Sequence, residues 1–187
     1  MEQLIELDKE LLLFLNNLGS EQWDGFWLFI TKQLYWSPLV AVLFYFFLKK
    51  IGWKQFGILI VFVALLILAT DQLTNLFKYN FERLRPCNDP TLDGQIREVL
   101  VRKSFSFFSG HASNSMATTT FFFLIFRKYY RYAFLLFLFP LIFAYSRIYL
   151  GLHFPSDILT GYLFGSFTGA LFYRIYTIFQ QKYFSQL

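Results

Sequence analysis

The chain has 187 residues, of which 56% are hydrophobic, 23% aromatic and only 16% charged, with a formal net charge of +5. A soluble domain carries about 25% charged residues, so five apolar helices of a water-soluble globule are excluded: nothing would remain to cover them. The positive balance is small and concentrated in a few motifs, which speaks against a nucleic-acid partner.

At the N-terminus, residues 2–18 place Leu4, Leu7, Leu11, Phe14 or Leu15, and Leu18 on one face, with Glu6 and Glu10 opposite. That spacing predicts an amphipathic helix lying in the bilayer interface. The acidic start "MEQLIELDKE" lacks a basic n-region, so no cleavable signal peptide is expected. A second short helix is predicted over Asp24–Leu34, and Ser37-Pro38 then opens the first span. A span across residues 8–30 would bury several charges and is disfavoured.

Uncharged stretches follow at Gln33–Leu48, Gln55–Thr70, Ala112–Phe126, Tyr132–Ser146 and Ile158–Tyr173. Each falls slightly short of the roughly 20 residues that cross a bilayer, and the polar and aromatic flanks close the gap. The expected fold is therefore all-α: a polytopic membrane helical bundle of five transmembrane helices plus N-terminal interfacial helices. A single domain spans 1–187, with interfacial helices over 1–35, a helical core over 36–180 and an extracytoplasmic loop over 79–110. In the last span, Gly161, Gly165 and Gly169 are four apart, a small-residue stripe for close helix packing. The lone Cys87 rules out an internal disulfide.

The short loops "KKIGWK" (49–54) and "RKYYR" (127–131) carry three basic residues each and no acid. Such juxtamembrane clusters favour the cytoplasmic side, which puts the N-terminus and the 79–110 loop outside.

The polar oddities then share one face of the membrane. They are Lys78 with "KYNFERLRP", "SFSFFSGHASNS" leading into the third span, and "SRIYLGLHFPSD" between the fourth and fifth. Both histidines of the chain, His111 and His153, lie in these stretches. Ionisable groups at membrane depth are functional candidates by default. His111, His153 and Asp157 could ligate zinc, but the converging cations Lys78, Arg85 and Arg147 oppose a divalent ion and favour an anion. Guanidinium groups grip phosphate oxygens bidentately, and imidazoles move protons or attack phosphorus. His153 and Asp157 are four residues apart, so the carboxylate can orient the ring. The Ser109-Gly110-His111 turn offers N–H groups at a helix start, where anions bind.

In these residues the chain resembles the type 2 phosphatidic acid phosphatase superfamily. Lys78-x6-Arg85-Pro86, Ser109-Gly110-His111 and Ser146-Arg147-x5-His153-x3-Asp157 are similar to its three signature motifs, in order, within residues 36–180. Asp71 and Asn75 sit where bacterial membrane members tend to carry them. One departure is Phe108, where the family usually has Pro. The superfamily includes soluble haloperoxidases, a branch that five spans argue against.

The resemblance implies a phosphatase that needs no metal or cofactor. His153 is the implied nucleophile, Asp157 its orienter and His111 the proton donor and later the activator of water. Lys78, Arg85, Ser109, Gly110 and Arg147 are the implied phosphate ligands. The expected protein is a lipid phosphate phosphatase of a bacterial inner membrane, its site facing the periplasm and its partners a membrane lipid phosphate and the bilayer. Undecaprenyl pyrophosphate is the first expectation for substrate. Phosphatidylglycerol phosphate, phosphatidate and lipid A phosphates, a lipid phosphotransferase, and a lipid or anion transporter are the alternatives. The long polar stretch after Pro86 suggests a lid or binding loop, in which Arg97, Arg102 and Lys103 either recognise headgroups or are merely solvated.

Overall fold

The computed structural model describes residues 2–184; Met1 and residues 185–187, part of the expected single domain, lie outside the described residues. Among the described residues there are six α-helices, joined by short 3-10 turns and loops, and no strand. They are α1 (Glu2–Asn17), α2 (Glu21–Ile30), α3 (Ser37–Phe81), α4 (Gly110–Phe126), α5 (Leu138–Tyr149) and α6 (Pro155–Phe184).

α3 opens at Ser37-Pro38, as its sequence predicts, because the N–H groups of a helix's first turn have no intrahelical acceptor and the one proline lacks is not missed there. It joins two of the expected hydrophobic stretches, broken only at Gly52, whose φ of 73° and ψ of 168° are non-helical. The chain folds back there: the rings of Phe44 and Phe56 are 5.5 Å apart, whereas twelve residues of straight helix would hold them about 18 Å apart. A positive φ in so tight a reversal is the conformation glycine adopts without steric cost.

α4 is the central helix, packed against α3, α5 and α6, and its buried residues lie all round it. The closest seam is α4–α6. A Cβ added at Gly161 would stand 2.9 Å from the Ala112 Cβ, and one at Gly169 would stand 3.0 Å from the Thr120 Cβ. The glycine stripe is thus a packing surface. Along the opposite edge of α6, Leu159, Leu163 and Phe167 are each more than 60% exposed. So large an apolar periphery needs an apolar surround. By length and composition, the helical run Gln33–Leu92 is long and apolar enough to cross a membrane, and Ala133–Tyr149 is a shorter apolar helix.

The second N-terminal helix differs from expectation. α2 ends at Ile30, short of the predicted Leu34, and a separate 3-10 turn covers Gln33–Trp36. In α1 the leucine stripe is not what packs on the protein: Leu4, Leu7, Leu11, Phe14 and Leu18 are all exposed. The inward face instead carries the fully buried Leu12 and Asn16. Asn16 donates to the carbonyls of Ile148 (3.1 Å) and Tyr149 (2.8 Å) and accepts from the Arg97 N–H (2.7 Å). It thereby satisfies the Tyr149 carbonyl left open at the end of α5 and ties α1 to the 82–109 loop.

Candidate active site

Three stretches converge at one end of the bundle: the end of α3 with the 82–109 loop, the start of α4, and the turn between α5 and α6. The Ser106 N–H donates to the Arg83 carbonyl (2.8 Å), the Cys87 N–H to the Gly151 carbonyl (3.1 Å) and the Ser109 N–H to the Asp157 carbonyl (3.1 Å). These backbone bonds fasten all three sequence motifs to one another.

His153 sits in the turn before α6 and is 1% exposed. Arg85 Nη1 lies 3.0 Å from its Nε2. Arginine has no acceptor, so Nε2 carries the lone pair and the proton of the neutral ring resides on Nδ1. That nitrogen faces Asp157 Oδ2 at 3.4 Å and the Ser106 hydroxyl at 3.5 Å. The tautomer is the one a phosphorus nucleophile requires, with its lone pair toward the cations and its N–H toward the carboxylate. Burial first, and then the charges of Arg85, Arg147, Lys78 and Arg83, hold the His153 imidazole well below the ordinary histidine value.

Asp157 is fully buried in the first turn of α6. Its Oδ2 also accepts from the Phe154 N–H (2.9 Å) and from the Ser106 hydroxyl, while Oδ1 accepts from Arg83 Nη1 at 2.8 Å. His111 opens α4 and stacks on Phe143, with ring centroids 5.3 Å apart. No hydrogen bond to its ring is found among the described residues.

The expected phosphate ligands surround this pair of histidines. Arg85 is held by the Ser104 carbonyl (2.7 Å), the Ser104 hydroxyl (3.0 Å) and the Leu152 carbonyl (2.9 Å). Arg147 is 5% exposed and donates to the Thr31 hydroxyl, and its buried Nε has no partner among the described residues. An unmatched buried donor costs on the order of 1–3 kcal/mol, a cost that an arriving anionic oxygen could remove. Lys78 lies beside Gly110, where an added Cβ would stand 3.9 Å from its Nζ. Ser109 caps α4, its hydroxyl accepting from the Ala112 N–H at 3.4 Å, so its proton remains available to an anion.

The three loop cations divide. Arg97 is engaged, pairing with Asp24 at 2.9 Å. Burial alone would raise the Asp24 carboxyl, but hydrogen bonds from Tyr149 and Arg97 outweigh it and hold the group below its ordinary value. The Arg97 side chain thus fastens the loop to α2. Arg102 and Lys103 are exposed, and Arg102 is near enough to Arg85 and Arg147 for its charge to act on both.

A cavity of about 1290 Å³ runs between the two arms of α3 and helices α4 and α5, lined among others by Phe44, Ile67, Asp71, Asn114, Phe122 and Phe143. Phe143 is also the ring under His111, so this largely apolar space ends at the polar site. Sequence reasoning missed Asp8, Thr31, Arg83, Ser104, Ser106 and Ser156. Arg83 lies inside the first motif and was passed over as an unspecified position. Asp8 had a faint signal, since it shares the i, i+4, i+8 face with Leu12 and Asn16.

The PAP2 superfamily sequence model matches residues 58–181. A lipid A 4′-phosphatase of Bacteroides thetaiotaomicron is 36% identical over 179 residues, covering 94% of this chain and 79% of that protein. One of Porphyromonas gingivalis is 32% identical over 180 residues, covering 94% and 75%. Among solved structures, a transmembrane PAP2-type phosphatidylglycerolphosphate phosphatase from Bacillus subtilis superposes with a TM-score of 0.70 at 18% identity, covering 98% of this chain and 89% of that one. Aquifex aeolicus LpxE superposes with a TM-score of 0.64 at 24% identity, covering 90% and 95%. Those two likenesses concern the fold.

Proposed function

The chain belongs to the PAP2 superfamily of phosphatases, and from that premise we propose that it removes phosphate from a membrane lipid through a phosphohistidine at His153. The observation that carries this reading is the Arg85–His153–Asp157 line, which aims the Nε2 lone pair at the cations and its N–H at a carboxylate. In the reaction His153 Nε2 forms a bond to phosphorus as the bond from phosphorus to the lipid oxygen breaks, and His111 protonates that oxygen. His111 then takes a proton from water, whose oxygen attacks the phosphohistidine, releasing phosphate and restoring the ring. Asp157 stabilises the imidazolium, while Lys78, Arg85, Arg147, Ser109 and the Gly110 N–H meet charge building on the phosphoryl oxygens. The three cations Lys78, Arg85 and Arg147 around one pocket favour an anion over a metal ion, so activity is expected to need no metal.

A lipid A 4′-phosphate is the best-supported substrate, because two lipid A 4′-phosphatases are about one-third identical to this chain across 94% of it. Undecaprenyl pyrophosphate, the first expectation for substrate, becomes the second reading. The apolar cavity ending at Phe143 suits a lipid whose chains stay among the helices while its phosphate meets the histidines. This reading has five membrane spans, the two arms of α3 with α4, α5 and α6, and α1–α2 in the interface. It places the site on the periplasmic face of a bacterial inner membrane, since "KKIGWK" and "RKYYR" lie at the other end.

The test is phosphate release by the purified protein in detergent with EDTA. The lipids compared are a lipid A 4′-phosphate, undecaprenyl pyrophosphate, phosphatidylglycerol phosphate and phosphatidate. Fastest turnover on lipid A is expected; preference for the pyrophosphate would overturn the substrate, and loss on chelation restored by zinc would overturn the mechanism. Adding an acceptor lipid without lowering phosphate release would exclude a phosphotransferase.

A further inference from the structure

Asp157 uses its two oxygens differently: Oδ2 serves the His153 side, and Oδ1 is bound by Arg83 at 2.8 Å. Arg83 is itself fixed from several directions. Its guanidinium lies over the Phe154 ring, 3.9 Å from the centroid, and Nη1 also donates to the Ser156 hydroxyl at 2.8 Å. Its Nη2 donates to Asp8 Oδ2 of α1 at 2.8 Å. Asp8 Oδ1 accepts the Ser156 N–H at 2.8 Å, and its other oxygen meets the Ser156 hydroxyl. One carboxylate of the N-terminal helix thus caps the first turn of α6 and anchors the arginine bound to the dyad.

We propose that Asp8 and Arg83 are positioning residues for the catalytic dyad, so that α1, lying in the membrane interface, sets the orientation and effective charge of Asp157 and through it of His153. The inference rests on the His153–Asp157 reading above. Sharing Arg83 between two carboxylates leaves the Asp8–Arg83–Asp157 group with one net negative charge, and that charge is what an imidazolium at His153 needs opposite it. Removing the Asp8 charge lets Arg83 neutralise Asp157 alone, which weakens its support for the attacking ring. Removing Arg83 leaves Asp157 without the cation that holds its Oδ1. Meanwhile the outer face of α1 carries the exposed Leu4, Leu7 and Phe14, so the seating of this helix at the lipid surface and the geometry of the dyad are mechanically joined.

The experiment uses the full-length protein and a soluble phosphate ester, with Asp8→Asn, Asp8→Glu, Arg83→Gln and Arg83→Lys measured beside Glu6→Gln. Glu6 is an exposed acid of the same helix. Asp8→Asn and Arg83→Gln should lower kcat about ten- to a hundredfold, the scale of a small misplacement at a reacting centre, with KM changed less than about twofold. The conservative variants should recover part of that loss, and Glu6→Gln should lose nothing. In an Asp157→Asn background neither substitution should lower the residual rate further, because both act through the carboxylate already removed. Losses that multiply in that background, or that appear in KM, overturn the proposal. If Arg83→Gln does not fold, the Asp8 variants carry the same two tests. An active His153→Ala would instead overturn the catalytic reading itself; an inactive His153→Ala with silent Asp8 and Arg83 variants overturns only this inference.

Discussion

The two histidines stand in opposite surroundings. His153 is in a turn, 1% exposed, with both ring nitrogens addressed by charged partners that are themselves held. His111 lies at the open start of a helix, stacked on Phe143 above an apolar cavity. A nucleophile must present one lone pair in one direction, so every degree of freedom around it is removed. A proton donor that later becomes a base must serve two oxygens in turn, and its ring is left without a hydrogen-bonded clamp among the described residues. The contrast supports the two proposed roles together better than either histidine does alone.

His153→Ala should break the comparison completely. Phosphate release should fall by roughly 10⁴-fold or more, while vanadate still binds the cations in an equilibrium assay. Retention of more than a few per cent of activity would remove His153 from the nucleophile's role. His111→Ala should cost about 10²- to 10⁴-fold on a lipid substrate. With an aryl phosphate, whose leaving group needs no proton, the first step should be spared, and an acid-labile phosphoenzyme should accumulate in rapid-quench experiments. Equal losses on both substrates without such accumulation would contradict the division of labour.

The pH dependence sharpens the nucleophile's side. Only the neutral His153 ring attacks, and burial with the surrounding cations lowers its value. As the pH falls, the neutral form should therefore persist through about 6.5, where an ordinary histidine would be half protonated. The acid limb of kcat/KM, measured with a substrate of known phosphate ionisation, should lie below that point. A limb centred at or above it would show a ring more solvated than the structure has it.

Gly165→Leu probes the seam that holds the two regions in register, since α4 carries His111 and α6 begins at the dyad. An added Cβ would already stand 3.0 Å from the Ala117 nitrogen. Overpacking should cost about 1–3 kcal/mol, seen as a lower thermal midpoint in detergent together with reduced kcat. The smallest effects concern the loop. Arg97→Ala should lower stability by about 1 kcal/mol or less, the worth of a partly exposed ion pair, and leave the ranking of lipids unchanged. Arg102→Ala should change that ranking while sparing a soluble ester. Reversed outcomes would exchange their roles.

Much of the site was legible because its groups occur in ordered, closely spaced motifs, and local spacing survives any arrangement of the helices. The residues expected to hold phosphate do gather around His153, and the glycine stripe of α6 does meet α4. What could not be read was which cation each carboxylate would take. Arg83 sits two positions before Arg85, and nothing local shows that one turns to Asp157 while the other turns to the His153 Nε2. Arg97 looked like a free loop cation, yet Asp24 on α2 engages it. The leucine stripe of α1 was correctly seen as apolar, but the contacts that matter come from the face carrying Asp8, Leu12 and Asn16.

The sequence by itself determined the helical class, the apolar character of the long helices and the identity of the candidate reacting groups, because hydrophobic periodicity and motif spacing act over a few residues. The tertiary structure alone decided the tautomer of His153, the sharing of Arg83 and the entry of the N-terminal helix into the site. Those depend on contacts between groups 68, 75 and 148 positions apart. Hydrogen bonds reach only about 3 Å, so such partners become known only once the crossing of the helices has brought them together.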